Sequence, residues 1–197
     1  KWKESHLRIT GLIEKLNKLE IEKLEVKSKG TNLIIGIGEN RNWIGATGRN
    51  IPSFEIFISP NCKLTEGYAK FDQPLYRDGN VVKGIYLEFK NGKVVKSSAE
   101  KGEEILKEMI KVDGADKIGE FSLTDITFSR IDKFMAETLF DENFGGKYGN
   151  FHIAIGNSYK ESYPKDTSSI TEEQWKEMGY NKSVIHTDII STSDREV

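Results

Sequence analysis

The sequence predicts an α+β fold, a mostly antiparallel twisted sheet with flanking helices. Three observations carry that expectation. Short β-rich runs separated by turn residues fill the chain from about 21 to 97, helical spacing of apolar residues recurs on either side of them, and helix-capping signals mark where helices open.

The elements follow in order. Residues 2 to about 19 place Leu12, Ile13, Leu16 and Leu19 at three-and-four spacing, opposite Glu14, Lys15 and Lys18, as in an amphipathic helix; Gly11 weakens its middle. Strands are expected at Leu24 to Ser28, Leu33 to Ile37, Phe54 to Ile58, Tyr68 to Phe71, Val81 to Phe89 and Val94 to Lys96. Asp78-Gly79 and Asn91-Gly92 fall between runs, and both dipeptides accept the positive φ of tight hairpins. Ser97 with Glu100 reads as a capping box for a second helix, with Ile105, Leu106, Met109 and Ile110 as its buried stripe and an end near Gly114. A third helix is expected from near Ile131, carrying Phe134, Met135 and Leu139, and a fourth from Thr171, boxed by Gln174. Strands Phe151 to Ile155 and Val184 to Ile190 complete the pattern. Without an internal repeat or a low-complexity linker, residues 1–197 read as one domain.

Composition narrows the function. A chain of 197 residues is long enough to bury a core, and 29 basic against 31 acidic residues leave a net charge of -2. That balance lacks the positive excess of a phosphate-neutralising nucleic-acid binder or a polybasic membrane surface. No apolar stretch approaches the roughly 18 residues of a membrane span, and no signal peptide opens the chain. Cys62 is the sole cysteine, so no internal disulfide forms; the expectation is a soluble cytoplasmic protein without nucleic-acid or membrane partners. Lys1 in place of Met, and an end soon after the last apolar run, suggest a piece of a longer protein.

Polar residues inside apolar strands are the chemical signal. Residues two apart on a strand share a face, so His186 and Asp188 point together from Val184 to Ile190. Such a pair can grip a divalent cation or form a structural hydrogen bond. His152 shares its face with the small Ala154, opposite Phe151, Ile153 and Ile155, which leaves space beside the ring. Glu55 interrupts a third apolar strand, where a carboxylate needs a partner, a metal, a proton or an exposed edge. Glu120 and Glu142 carry the same ambiguity, whereas His6 in the charged first helix reads as solvated. Together the acids and imidazoles amount to the ligand supply of two close divalent cations, on inward-facing strand residues.

Several motifs are excluded. Arg41 stands where a dinucleotide fingerprint after Gly36-Ile37-Gly38 needs glycine, and neither a P-loop lysine motif nor a nucleophile elbow occurs. Cys62 reads as a packed small hydrophobe, and the sequon Asn181-Lys182-Ser183 has no use in a cytoplasmic chain.

At these residues the sequence resembles a known family. Asn50-Ile51-Pro52-Ser53-Phe54-Glu55-Ile56-Phe57-Ile58-Ser59-Pro60, Thr138-Leu139-Phe140-Asp141-Glu142-Asn143, His152 to Tyr159, and Ser183 to Asp188 are similar to four ordered signatures of the thermophilic metalloaminopeptidases of the aminopeptidase T and S type. The resemblance runs from about Trp2 to the end. It implies a two-metal aminopeptidase of broad specificity using zinc or cobalt, with magnesium a third candidate, acting on peptides with a free N-terminus as a homodimer. It implies Glu55, Glu120, Glu142, His152, His186 and Asp188 as metal ligands and Tyr159 as a tyrosine lining the site; the mechanistic expectation is that Glu120 bridges the metals and Tyr159 donates to the developing oxyanion. It also implies that a further N-terminal domain precedes this region. The Gly-rich stretch Phe144 to Asn150 lengthens the interval between Glu142 and His152 relative to some members and reads as a flexible loop at the cavity rim. The competing readings are a noncatalytic α+β module with a structural metal or a His–Asp hydrogen bond, and a metal-dependent phosphoesterase.

Overall fold

The computed structural model describes residues 2–48, 53–77 and 79–197. The first helix, α1 (Trp2–Lys18), lays Ile9 into the core with Leu12, Ile13 and Leu16 packed beside it, as the spacing predicts; Leu19 falls past the helix end and is exposed. His6 is exposed on the other side. Asn17 pins the helix to the following chain by exchanging two hydrogen bonds with the Trp43 backbone.

Strands β1 (Lys23–Ser28), β2 (Thr31–Gly36), β3 (Ile44–Gly45), β4 (Glu55–Ile58), β5 (Thr65–Phe71), β6 (Leu75–Arg77), β7 (Asn80–Val82), β8 (Ile85–Lys90) and β9 (Lys93–Ser98) come next. After the helix α2 (Glu103–Ile110) follow β10 (Ile118–Thr124), the single turn α3 (Thr138–Asp141), β11 (Asn150–Gly156), α4 (Glu172–Glu177), β12 (His186–Ser191) and β13 (Arg195–Glu196). One six-stranded sheet runs β13-β1-β2-β5-β8-β9 and one five-stranded sheet runs β12-β11-β10-β4-β3, with β6 and β7 forming a separate hairpin. All the ladders between these strands are antiparallel.

The sheets share one apolar core, in which Val26, Leu33, Ile35, Phe71 and Leu87 of the first meet Ile58, Phe121, Phe151 and Ile153 of the second. Phe71 and Phe151 bring their rings to 5.9 Å across it. With its apolar residues committed to this face, the five-stranded sheet turns its alternate residues the other way.

Several elements differ from expectation. The run Val81 to Phe89 is broken at Gly84 into β7 and β8, because Gly84 turns at a φ of 61°. The Asn91-Gly92 hairpin forms with both residues at positive φ, whereas Asp78 of the other hairpin signal lies outside the described residues. The Ser97–Glu100 box does not cap a helix: Ser97 pairs with Leu87 in the β8–β9 ladder, and α2 opens only after Gly102. The helix expected from Ile131 reduces to α3, since Ile131 bridges to Phe144 and Phe134 stacks on the Phe144 ring at 4.1 Å. Met135 and Leu139, expected in its stripe, are more than half exposed. The capping box at Thr171 forms with both reciprocal bonds, while Val184, outside β12, is 90% exposed.

Candidate metal centre

Register decides which side chains meet above the outer face of the five-stranded sheet. On β11, Ala154 pairs with Asp188 and Gly156 with His186, while on the other side Ala154 pairs with Glu120 and Ser122 with His152. Thr124 then pairs with Glu55, so neighbouring strands deliver Glu55, Glu120, His152, His186 and Asp188 to one face. The small Ala154 leaves the room in the middle.

Glu120 shares that face with Ser122 and Thr124 by simple alternation along β10, and the bulge between Ile118 and Glu120 lets Ile118 face the core although it stands only two residues away. Were Gly119 in regular register, strict alternation would turn Ile118 to the site face with Glu120. Glycine is required there, since a Cβ would stand 2.3 Å from Asn157 O and 2.4 Å from Gly156 O. Glu142 arrives from outside the sheet, at the C-terminal end of α3, its carbonyl held by Thr124 Oγ1 at 3.0 Å and Asn150 Nδ2 at 2.8 Å.

The distances are short. His152 Nε2 lies 3.2 Å from Glu120 Oε1 and 3.4 Å from Glu55 Oε2, and His186 Nε2 lies 3.5 Å from Glu120 Oε2 and 3.4 Å from Asp188 Oδ1. Three overlapping groups result, Glu55/Glu120/His152, Glu120/His186/Asp188 and Glu142/His152/Asp188, each with its ligand atoms within 4.8 Å of one another. All six sequence-picked residues are thus brought together. His186 Nδ1 sits 2.8 Å from Asn157 O; a carbonyl only accepts, so Nδ1 donates and Nε2 is left facing the acids. That arrangement is common for metal-binding imidazoles. His152 departs from it, its Nδ1 being buried without a hydrogen-bond partner.

Electrostatics report a cluster short of positive charge. Burial, and then the Glu120 carboxylate, push Glu55 up to about 7; burial, with Glu55 and Asp188, pushes Glu142 up to about 9. Burial opposes charge on both imidazoles, yet the hydrogen bond that His152 donates to Glu120 and the surrounding acids carry His152 up to about 10, and Asp188 and Glu120 carry His186 up to about 11. Asp188 stays low despite its burial because both imidazoles face it. Asp188 Oδ1 is shielded from solvent and has no hydrogen-bond donor aligned on it; the His186 approach at 3.4 Å is an ion-pair distance only. Four clustered carboxylates, an unfilled buried carboxylate oxygen and a donor set without sulfur fit divalent cations held in an open site.

The cluster lines a cavity of about 320 Å³ together with Ile44, Thr47, Ser53, Phe57, Leu139, Tyr159 and Glu161. Tyr159 lies with its ring 4.6 Å from the His186 ring and edge-on to Phe57 at 5.6 Å. Its backbone N–H donates to Ser59 Oγ at 2.8 Å, and burial holds its phenol protonated, above the usual range.

Residues that sequence reasoning passed over complete the site. Ser122, wholly buried, donates to Glu55 Oε2 at 2.8 Å; the polar alternation Glu120, Ser122, Thr124 between Phe121 and Leu123 was the signal for it. The Gly-rich stretch after Glu142 serves close approach: a Cβ on Gly145 would meet Ser129 O at 2.6 Å, and one on Gly149 would meet Thr124 O at 2.2 Å. Cys62 is buried and its thiol pushed up by burial, in keeping with a packed hydrophobe. Among the described residues, no helix is long and apolar enough to cross a membrane.

Known proteins match this chain in sequence and in fold. A family model described as thermophilic metalloprotease (M29) matches residues 1–197. Aminopeptidase PepS of Streptococcus thermophilus is 33% identical over 208 residues, covering 98% of this chain and 48% of the relative. Aminopeptidase T of Thermus thermophilus is 31% identical over 209 residues, covering 100% of this chain and 49% of the relative. The solved structure of wild-type AmpT from Thermus thermophilus superposes with a TM-score of 0.82 at 31% identity, covering 95% of this chain and 48% of that one. A 2,5-dihydroxypyridine dioxygenase from Pseudomonas putida, at 17% identity and a TM-score of 0.61 over 95% of this chain and 54% of that one, shares the fold alone. The chain spans about half the length of the curated relatives it matches. A family match along the whole chain, together with the buried acid and imidazole cluster, places it in a family whose members bind divalent metal: this chain belongs to the thermophilic metalloproteases of family M29.

Proposed function

We propose that this chain is the metal-bearing C-terminal domain of a two-domain cytoplasmic aminopeptidase, a homodimer that removes N-terminal residues from peptides at a pair of zinc or cobalt ions. The observation that carries the reading is the position of Glu120, whose two oxygens face different imidazoles, Oε1 toward His152 and Oε2 toward His186. A carboxylate so placed would suit a bridging role, with Glu55, Glu142, His152, His186 and Asp188 completing the set that would hold the ions.

Divalent cations supply Lewis acidity for water and for the scissile carbonyl. The chain's own residues supply the rest. Ser122 fixes the rotamer of Glu55, and Asn157 O fixes the ring of His186. Tyr159, kept protonated by burial, is a hydrogen-bond donor for the oxyanion that develops on the carbonyl. Ile44, Phe57 and Leu139 form an apolar part of the cavity wall beside these groups.

The test measures metal content per chain in protein prepared without chelators. It then assays the full-length protein on amino-acid anilides and on phosphate esters, with and without added zinc or cobalt. About two metals per chain and anilide hydrolysis lost in Glu120→Gln are expected. Turnover of phosphate esters alone, or a metal-replete protein that turns over neither, rejects the reading.

A further inference from the structure

Asn181 lies in the loop between α4 and β12, nearly buried and outside the cavity wall. Its side-chain nitrogen donates to Gly114 O and to Gly156 O, both at 2.6 Å, which uses both of its N–H groups. Its backbone is joined to Ser158 twice, through Ser158 N–H to Asn181 O at 2.9 Å and Asn181 N–H to Ser158 Oγ at 2.9 Å.

The short segment hung on these four bonds carries two groups of the centre. Asn157 presents the carbonyl that accepts from His186 Nδ1, and Tyr159 presents the ring beside His186. Gly156 sits at a φ of 108°, with room for no Cβ against Ile185 O, and the Gly119 bulge presses on the carbonyls of Gly156 and Asn157 from the other side.

We propose that Asn181 is a positioning residue for the metal centre: its amide fixes the 156–158 backbone, the Asn157 carbonyl in turn fixes the His186 ring, and Nε2 is thereby aimed at Glu120 and Asp188. The residue type follows from the demand. Two buried carbonyl oxygens need two donors from one short side chain, which Asn provides; Asp would set a carboxylate against them. The sequon Asn181-Lys182-Ser183 is thereby accounted for as structure, since the amide that a glycan would modify is buried and committed. The consequence for metal binding rests on the proposed function; the effect on the His186 ring does not.

The chain has three histidines, so ring signals are few. In metal-free, nitrogen-15-labelled protein, Asn181→Asp is expected to speed hydrogen exchange of the His186 Nδ1–H roughly tenfold or more, while the His152 ring signals and cooperative unfolding are retained. Zinc affinity falls roughly 10–100-fold, as when the orienting partner of a metal-bound imidazole is lost. A folded Asn181→Asp protein with an unchanged His186 Nδ1–H overturns the assignment. So does a variant in which His152 and His186 change together, the mark of general loosening. Should Asn181→Asp fail to fold, Asn181→Ala decides: it removes both amide donors without placing a charge there, and selective acceleration at His186 supports the assignment where no change overturns it. A wild-type protein without peptidase activity refutes the proposed function and leaves the ring experiment intact.

Discussion

Gly119→Ala tests whether the close approach of β10 to the 156–157 segment holds Glu120 against His186. An alanine Cβ at 119 would stand 2.3 Å from Asn157 O, whereas ordinary contact begins at 3.4 Å, so β10 and the 156–157 segment would have to part by the difference, 1.1 Å. Both atoms it meets are backbone, and no rotamer change relieves the clash. Overpacking of this kind costs about 1–3 kcal/mol, and the absence of a flexible neighbour argues for the upper end. At about 2–4 °C per kcal/mol for a chain of this size, a loss of about 3 kcal/mol lowers Tm by about 6–12 °C. The displacement also falls between Glu120 and His186, now 3.5 Å apart, so zinc affinity drops roughly 10–100-fold. Thermal unfolding of the metal-free protein and zinc titration calorimetry read the two effects separately. A Gly119→Ala protein with wild-type Tm and wild-type zinc affinity would refute the claim that this close approach sets the Glu120–His186 spacing.

The remaining predictions concern other levels of the structure. Gly11 lies mid-helix, and a Cβ placed there would meet nothing within 4 Å, so Gly11→Ala raises stability by about 1 kcal/mol in denaturant unfolding; a destabilised variant would contradict the α1 packing. Tyr159→Phe in the full-length enzyme lowers kcat by roughly 10²–10³ with metal content and Tm unchanged, and an unaltered kcat removes Tyr159 from the mechanism. Metal binding becomes tighter as pH rises from about 6 to 9. The sign follows from the protons: Glu55 at about 7, Glu142 at about 9 and the two imidazoles above them hold protons in the metal-free protein that coordination expels. Calorimetry in buffers of different ionisation enthalpy is expected to show about two or more protons released per chain near pH 6.5. Release of none would mean that the cluster is not the binding site.

The legible part of this protein was local. Alternation along a strand put His186 with Asp188 and set His152 against Phe151, Ile153 and Ile155, because neighbouring side chains on a strand point oppositely whatever the strand pairs with. The Thr171 box formed because its two hydrogen bonds close within four residues. Ser97 and Glu100 offered the same local pattern and lost, since Ser97 had a ladder partner in Leu87 that a short-range motif does not reveal. The stripe beginning at Ile131 lost likewise, to a bridge with Phe144 and the stacking of Phe134.

Which strands stand side by side is a different kind of information. Glu55 and Asp188 are 133 positions apart, and they face one cavity because the sheet is ordered β12-β11-β10-β4. The turn of Ile118 into the core beside Glu120 depends on a bulge at Gly119, and Glu142 enters from an excursion outside the sheet altogether. Sequence by itself determined the kinds of ligand and the faces they occupy, through backbone stereochemistry that acts over two or three residues. Tertiary structure alone decided that those faces coincide, because bringing six polar groups, four of them buried, to one point is a property of strand order and register, which only the packed core fixes.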